Sequence, residues 1–395
     1  MSKLLLSCDD YVFLYKGKYY ARTQEKYDFY QRYLRVFDNL RLVTRCVSED
    51  ILGKSRVLLD DPRIEYVPMP FFSGPFQYAK IYFQIGKKIK HITEGCDAAI
   101  IRLPSTVAQR VGYVIMNSGL PYAAELVFDA SDAYENATNV IERILWRKID
   151  SQMRKLCSNA DGVSCVTRQY MQQHYTSKKA NAFYSHYSSI TLNRNFYSGA
   201  RSYPQKDIFK IAHVCTQVQY KGRKGYNEII DALKILKGRG VSVVVNFAGP
   251  DYRNGIALLT EYARKRDVSE MVNFIGGVTK EQLSSYLEDS DLYVMPTWAE
   301  GLPRVIIEAM AKGMPVITTP VSGNPELVSD HFLVDYEDVK KLADRIEELV
   351  KTPKLYEDTS KENFSRSLEY ESAILEQRRD GFYKKLKLLA DKKGD

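Results

Sequence analysis

Between Asp291 and Val328 the residues are spaced as a phosphate-handling site would space them. Residues 291–296 (DLYVMP) read as a buried strand and 297–303 (TWAEGLP) as a loop. Residues 303–313 (PRVIIEAMAKG) read as a helix closed by Gly313, and 315–320 (PVITTP) as the next strand. Pro303 suits the first helical position, where its missing N–H would be unpaired anyway. A helix N-terminus at the carboxyl end of a parallel strand offers main-chain N–H groups and partial positive charge, which suits a diphosphate. Glu300 lies in the loop ahead, and Glu308 lies on the helix eight residues later. A plainer reading competes. Arg304, Glu308 and Lys312 fall at i, i+4 and i+8, opposite Val305, Ile306, Ala309 and Met310, the spacing of a solvated ion-pair stripe. Glu300 alone is a loop acid.

Elements on both sides must hold this segment in place. At 395 residues the chain exceeds what one hydrophobic core usually supports, so two domains are expected. Apolar residues make up 45% and charged residues 27%, which excludes a disordered chain, a collagen and a disulfide mini-scaffold. Strand and helix signals alternate throughout. In the first half, 3–8, 41–46, 98–102, 122–129 and 162–167 read as strands, with helices over 25–40, 107–118 and 138–156. The polar stretch 191–207 (TLNRNFYSGARSYPQKD), with Gly199 and Pro204, reads as a linker. Beyond it, strands at 209–214, 241–248, 272–275, 292–295 and 316–318 alternate with helices starting near Tyr226, Ile256, Lys280, Pro303 and Val339. Such alternation predicts an α/β fold with two doubly wound parallel sheets, whose strand carboxyl ends face a shared cleft. The domains are expected over 1–195 and 196–370, with 371–395 as a charged helix returning to the first.

Other patterns narrow the chemistry. Lys and Arg number 57 against 49 Asp and Glu, a formal charge of +8. On this length that suits an anionic ligand or membrane surface better than a nucleic-acid wrapper. Six Cys and five His are scattered without a C-x-x-C, so neither a metal site nor a disulfide framework is expected, and the cytosol is the expected compartment. No apolar run approaches the ~20 residues of a membrane span. Asp9 and Asp10, with no cleavage pattern, argue against a signal peptide. Residues 80–91 (KIYFQIGKKIKH) carry four Lys and no acid. As a helix they would be basic and amphipathic, the pattern that lies on an anionic membrane. The alternative is a surface helix with its apolar side inward.

The stretch EGLPRVIIEAMAKGMPVI (300–317) resembles the E-x7-E signature of retaining nucleotide-sugar glycosyltransferases of the GT-B fold, the family 4 type. FAGPD (247–251), VNFIGGVTKEQL (272–283) and SDLYVMP (290–296) are similar to successive landmarks of that family's donor domain. SGNPELV (322–328) resembles its Gly-x-Pro-Glu turn, and YKGRKGYNEIIDAL (220–233) the K-G segment that opens the donor domain. PYAAELVFDASDAYEN (121–136) and ADGVSCVTRQYMQQHY (160–175) resemble the bacterial polysaccharide members more loosely.

This resemblance implies a GT-B architecture of two Rossmann-like domains facing an interdomain cleft, with the acceptor side before residue 195. It implies a retaining, metal-independent transfer of a sugar from a nucleotide-sugar donor to a glycan or lipid-linked acceptor, in polysaccharide biosynthesis, without a cofactor or nucleic acid. Fixed cations and helix N–H groups would stabilise the leaving diphosphate. Lys224 matches the family's phosphate lysine when register is taken from the following helix, Lys221 when it is taken from upstream, and Arg223 is a third option. The Arg that the family often places about five residues earlier is Gln219 here, with Thr216 or Arg223 as substitutes. Glu308 matches the carboxylate that accepts the ribose hydroxyls. Glu300 matches the one near the donor sugar and shares the catalytic role with Lys224. The amides of Gly301 and Leu302, just before Pro303, would reach the sugar or phosphate.

On the acceptor side, Gly17 in YKGKYY matches a Gly-containing loop after the first strand. The His that commonly follows the later strand is absent, and Asp129 is its substitute. Each residue also has a plain reading, as a solvated loop cation, a turn glycine or a turn aspartate. Asp289-Ser290-Asp291 spells the D-x-D that binds metal in transferases of the other major fold. Its place before a strand, away from the carboxyl ends, reads instead as a helix-to-strand turn. Two rivals remain: a nucleotide-sugar epimerase on the same fold, and a non-catalytic GT-B partner subunit, which the missing His and Arg keep open.

Overall fold

Buried apolar runs collect into two sheets. The computed structural model describes residues 1–131 and 140–394. It divides the chain into one unit of Met1–Tyr187 with Glu376–Asp395 and a second of Ser188–Leu375. The expected helix start at 138, and residues 132–136 of the PYAAELVFDASDAYEN stretch, lie outside the described residues.

The first unit is built on β1 (Lys3–Tyr15), β2 (Lys18–Ala21), β3 (Asn39–Ser48), β4 (Val57–Leu58), β5 (Ile64–Pro70), β6 (Ala98–Leu103), β7 (Tyr122–Leu126), β8 (Gly162–Cys165) and β9 (Phe183–His186). Parallel pairing links β5, β3, β1, β6, β7, β8 and β9 in that order. β2 joins the far half of β1 antiparallel and carries β4 on its outer side. β1 runs well past the expected end at residue 8. Its register with β3 shifts between Ser7 and Tyr11, a bulge that takes up the acidic pair Asp9-Asp10. Thr44 Oγ1 donates to the Asp10 carbonyl at 2.5 Å, and the Asp10 carboxylate meets Lys26 at 3.0 Å. The helix expected over 25–40 stops early: Gln24–Gln31 is α, Arg32–Arg35 is a 3-10 turn, and β3 starts at Asn39.

Helix Thr106–Ser118 covers the central strands. The Ser105 hydroxyl caps it by accepting Ala108 N at 3.1 Å, and Gly119, at φ 75°, closes it. Helix Gly74–Ile89 turns Ile85 and Ile89 inward, and helix Val140–Ser158 buries Met153, Leu156 and Cys157. Under the sheet, Glu125 on β7 is 3% exposed and accepts the hydroxyls of Tyr33, Tyr187 and Tyr383 at 2.9, 2.7 and 2.7 Å. Tyr383 comes from helix Ser372–Gly394, and its neighbour Phe382 rests on Phe183.

The second unit holds β10 (Phe209–Val214), β11 (Val243–Ala248), β12 (Val272–Gly276), β13 (Leu292–Met295) and β14 (Val316–Thr318). All are parallel, in the order β12-β11-β10-β13-β14. β13 and β14 are buried throughout and β10 and β11 mostly so, as their apolar runs reflect, while the edge strand β12 alternates between half-buried and exposed residues. The stretch 191–207, expected as a linker, belongs to this unit. Arg201 reaches the carbonyls of Lys312, Leu287 and Ser290, capping the ends of helices Lys280–Glu288 and Arg304–Ala311. A polar composition marked it as a connector, but its polar groups are used on backbone carbonyls.

Candidate active site

β10 and β13 are neighbours at the point where strand order reverses, so the loops leaving their carboxyl ends lie side by side. Gly225 brings them into contact. It starts helix Tyr226–Gly238 with φ 76°, and a Cβ at this position would run into the Pro296 carbonyl after β13. The Arg223 carbonyl accepts Thr297 Oγ1 at 2.9 Å and Trp298 N at 3.1 Å. With the two loops joined in this way, Lys224 Nζ donates to Glu300 Oε1, an ion pair whose side chains are 18% and 12% exposed. Thr297 Oγ1 lies 3.3 Å from the same carboxylate oxygen.

A second layer holds the glutamate loop from below. Ser322 Oγ donates to the Glu300 carbonyl at 2.5 Å, and Gly323 N to the Gly301 carbonyl at 3.0 Å. Asn324, wholly buried, donates to Thr318 Oγ1 at 3.0 Å and to the Thr319 carbonyl at 3.1 Å, and the Thr319 hydroxyl donates to the Thr297 carbonyl. His213 on β10 is also buried, its Nδ1 2.8 Å from the Val294 carbonyl. Burial pushes its pKa down to about 4, with the Lys224 charge adding to the shift and the carbonyl contact opposing it.

Of the three cations left open by the sequence, the structure sets Lys224 against Glu300. Lys221 and Arg223 are exposed on the same loop, and Lys221, at φ 52°, donates its N–H to Asn227 Oδ1 at 2.8 Å. Thr216 is exposed just beyond β10. Gly301, Leu302 and Pro303 are buried. Pro303 caps helix Arg304–Ala311 and precedes its first residue, one place earlier than expected. Glu308 is half-buried on that helix. The solvated stripe does not form, because Lys312 is 1% exposed. Its ammonium sits 2.6 Å from Glu288 and 4.4 Å from the centre of the Phe196 ring.

The first-unit residues have surroundings of their own. Gly17, with Lys16, forms a two-residue turn between β1 and β2 at φ 75° and 46°, a hairpin that needs glycine for its own geometry. Asp129 is fully buried. It accepts Ser131 N at 2.8 Å, Ser131 Oγ at 2.6 Å and Tyr175 Oη at 2.8 Å, with His174 Nδ1 at 2.9 Å. In the D-x-D triplet, Asp291 accepts Lys210 N at 2.7 Å and pairs with Lys206 at 2.7 Å, while Asp289 closes a helix.

Sequence reasoning missed Thr297, Ser322, Asn324 and His213 as supports. A signal was present for two of them, since SGNPELV was singled out as a turn without a role for its Ser or Asn.

Residues 213–366 match the family described as Glycosyl transferases group 1. The chain carries a group 1 glycosyltransferase domain. Its activity class is therefore sugar transfer. Protein CapJ of Staphylococcus aureus is 26% identical over 372 residues, 91% of this chain and 90% of that protein. The putative colanic acid biosynthesis glycosyltransferase WcaL of Salmonella typhimurium is 32% identical over 136 residues, 32% of this chain and 33% of that protein. Among solved structures, Anabaena Alr3699/HepE in complex with UDP and glucose superposes with a TM-score of 0.66 at 16% identity, covering 96% of this chain and 99% of that one. The fold is GT-B, with two Rossmann-like units.

Proposed function

We propose that the chain is a retaining glycosyltransferase, working without a metal, that moves a sugar from a nucleotide-sugar donor to a glycan or lipid-linked acceptor in polysaccharide biosynthesis. The observation that carries this reading is the Lys224–Glu300 pair, braced at the carboxyl edge of the second sheet beside the start of helix Arg304–Ala311. A diphosphate there takes its countercharge from Lys224, with Arg223 or Lys221, and hydrogen bonds from the amides of Gly301, Leu302 and the helix start. Lys224 leaves Glu300 for the phosphate, and the freed carboxylate faces the donor sugar as positive charge develops on it. Thr216 lines the diphosphate side, and Glu308 receives the ribose hydroxyls. Gly17 and Asp129 belong to the acceptor side, Asp129 by fixing the ring of His174. The colanic acid biosynthesis in the name of WcaL supports the pathway, and the UDP in the HepE complex supports a nucleotide-sugar donor. The enzyme works in the cytoplasm, touching the inner face of the membrane through 80–91. No helix among the described residues is long and apolar enough to cross a membrane.

Calorimetric titration with nucleoside diphosphates tests the assignment. Charge-assisted hydrogen bonds of ~1.5–3 kcal/mol at the ribose mean that Glu308→Ala weakens binding about 10- to 150-fold. Glu300→Gln releases Lys224, so it keeps or tightens nucleoside diphosphate affinity while transfer slows. Wild-type affinity in Glu308→Ala would sink the motif assignment.

A further inference from the structure

A long groove in the first unit is unrelated to the donor-side residues. Helix Thr106–Ser118 forms its floor, and helices Gly74–Ile89 and Val140–Ser158 form its walls. Its volume is about 1270 Å³, and Tyr78, Tyr82, Tyr113, Leu145, Trp146 and Ile149 give it a mostly apolar lining. It follows the floor helix from Thr106 to Ser118, a length of about 20 Å at 1.5 Å per residue.

Both walls also turn apolar side chains outward. On the first, Phe76, Lys80, Phe83 and Lys87 fall at i, i+4, i+7 and i+11, all exposed, with Phe76 at 87% and Phe83 at 79%. The inward face of that helix is a separate set, Ile85 and Ile89, so the core does not account for the two phenylalanines. On the second wall, Ile141 is 74% and Ile144 60% exposed, and the exposed Lys148 continues their face at i+7 and i+4. Single exposed apolar residues are ordinary. Two apolar stripes flanking one apolar groove, each with lysine on the same face, are not.

We propose that this face docks on an anionic phospholipid bilayer and that the groove takes up an acyl chain. Phenylalanine and isoleucine enter the interface, where an apolar side chain gains from leaving water, and the interleaved cations meet the phosphates at the same depth. The groove then has an occupant of matching length and polarity. The charge pattern selects a bilayer over a protein partner, because the cations stand within the apolar stripes instead of around one patch. The inference goes beyond a surface contact at 80–91 by adding the second helix and an internal lipid site. It stands or falls whether or not the second unit transfers a sugar.

The chain has two tryptophans, and Trp146 lines the groove. In a Trp298→Phe background, vesicles of phosphatidylglycerol with brominated acyl chains are expected to quench Trp146, and vesicles of phosphatidylcholine to quench it little. Phe76→Ser with Phe83→Ser, both on exposed positions, should weaken vesicle binding roughly 10-fold or more without lowering the melting temperature. Sedimentation with vesicles but no quenching would overturn the lipid site. Absence of sedimentation at low salt would overturn the docking face. Loss of self-association in the double variant, with vesicle binding unchanged, would assign the stripes to a protein partner instead. Nucleoside diphosphate titration of the same variants reports separately on the donor site.

Discussion

Glu125 in the first unit and Glu300 in the second lie on or just beyond a central parallel strand, and both are largely inside the protein. Glu125 is enclosed by three tyrosine hydroxyls, one of them from the C-terminal helix. Glu300 sits on a loop, held through its backbone by Ser322 and through its side chain by the Lys224 ammonium and the Thr297 hydroxyl. The first carboxylate is enclosed by groups of the core, and the second is held by a lysine and a threonine on two loops, the partner exchange proposed above being open only to the second.

The largest effect expected from breaking this contrast is at Glu125. Glu125→Ala strips the partners from three buried hydroxyls and from nearby Arg102, and should cost about 3–5 kcal/mol, read by urea unfolding. Burial alone would raise the Glu125 pKa, but Arg102 and the three hydroxyls outweigh it and hold it below the ordinary carboxylate value. Its contribution is therefore present above the unfolded pKa and lost as pH falls through the lower folded one, in the acid range below about pH 4.

His213 gives the next effect. Its folded pKa is pushed down to about 4, so the unfolded chain binds the extra proton first as pH drops below about 6.5. Stability should fall by roughly 2–4 kcal/mol between those limits, and His213→Phe should flatten that part of the profile. A pH dependence that survives the substitution would remove His213 from this account.

The third effect is smaller in stability and larger in function. Gly225→Ala forces a Cβ toward the Pro296 carbonyl at a positive φ and should cost about 2–3 kcal/mol. Because it parts the two loops, nucleoside diphosphate affinity should drop further than the melting temperature implies. If affinity holds while stability falls, the loop contact does not set the site.

Much of the second unit was legible in the sequence because β13 and β14 are buried throughout, β10 and β11 mostly so, and all four read as plain apolar runs. Helices starting at Tyr226, Lys280 and Val339 were found at those residues. In the first unit β5 escaped notice because Glu65, Pro68 and Pro70 break its apolar run, and β1 looked finished at Cys8 because a bulge was needed to carry Asp9 and Asp10 onward. At the candidate site, residue types and the eight-residue spacing singled out the segment whose Glu300 the structure pairs with Lys224. The meeting of Lys224 with Glu300, 76 positions apart, depends on strand order, which periodicity does not contain. Lys312 misled for the opposite reason. Helical spacing placed it on a wet face, while Glu288, Ser198 and Phe196 from distant segments enclose it.

Arg201 has a practical bearing on how the molecule can be divided at the bench. Its guanidinium ties down the exit of two helices from a position ahead of the first strand of the second unit, and Ser198 nearby meets the enclosed ammonium of Lys312. A gene fragment cut at Phe209, where the sheet begins, discards both. The shortest fragment that retains these ties starts upstream of Ser198, so the natural cloning boundary lies in the polar stretch's own N-terminal flank and not at the edge of the sheet.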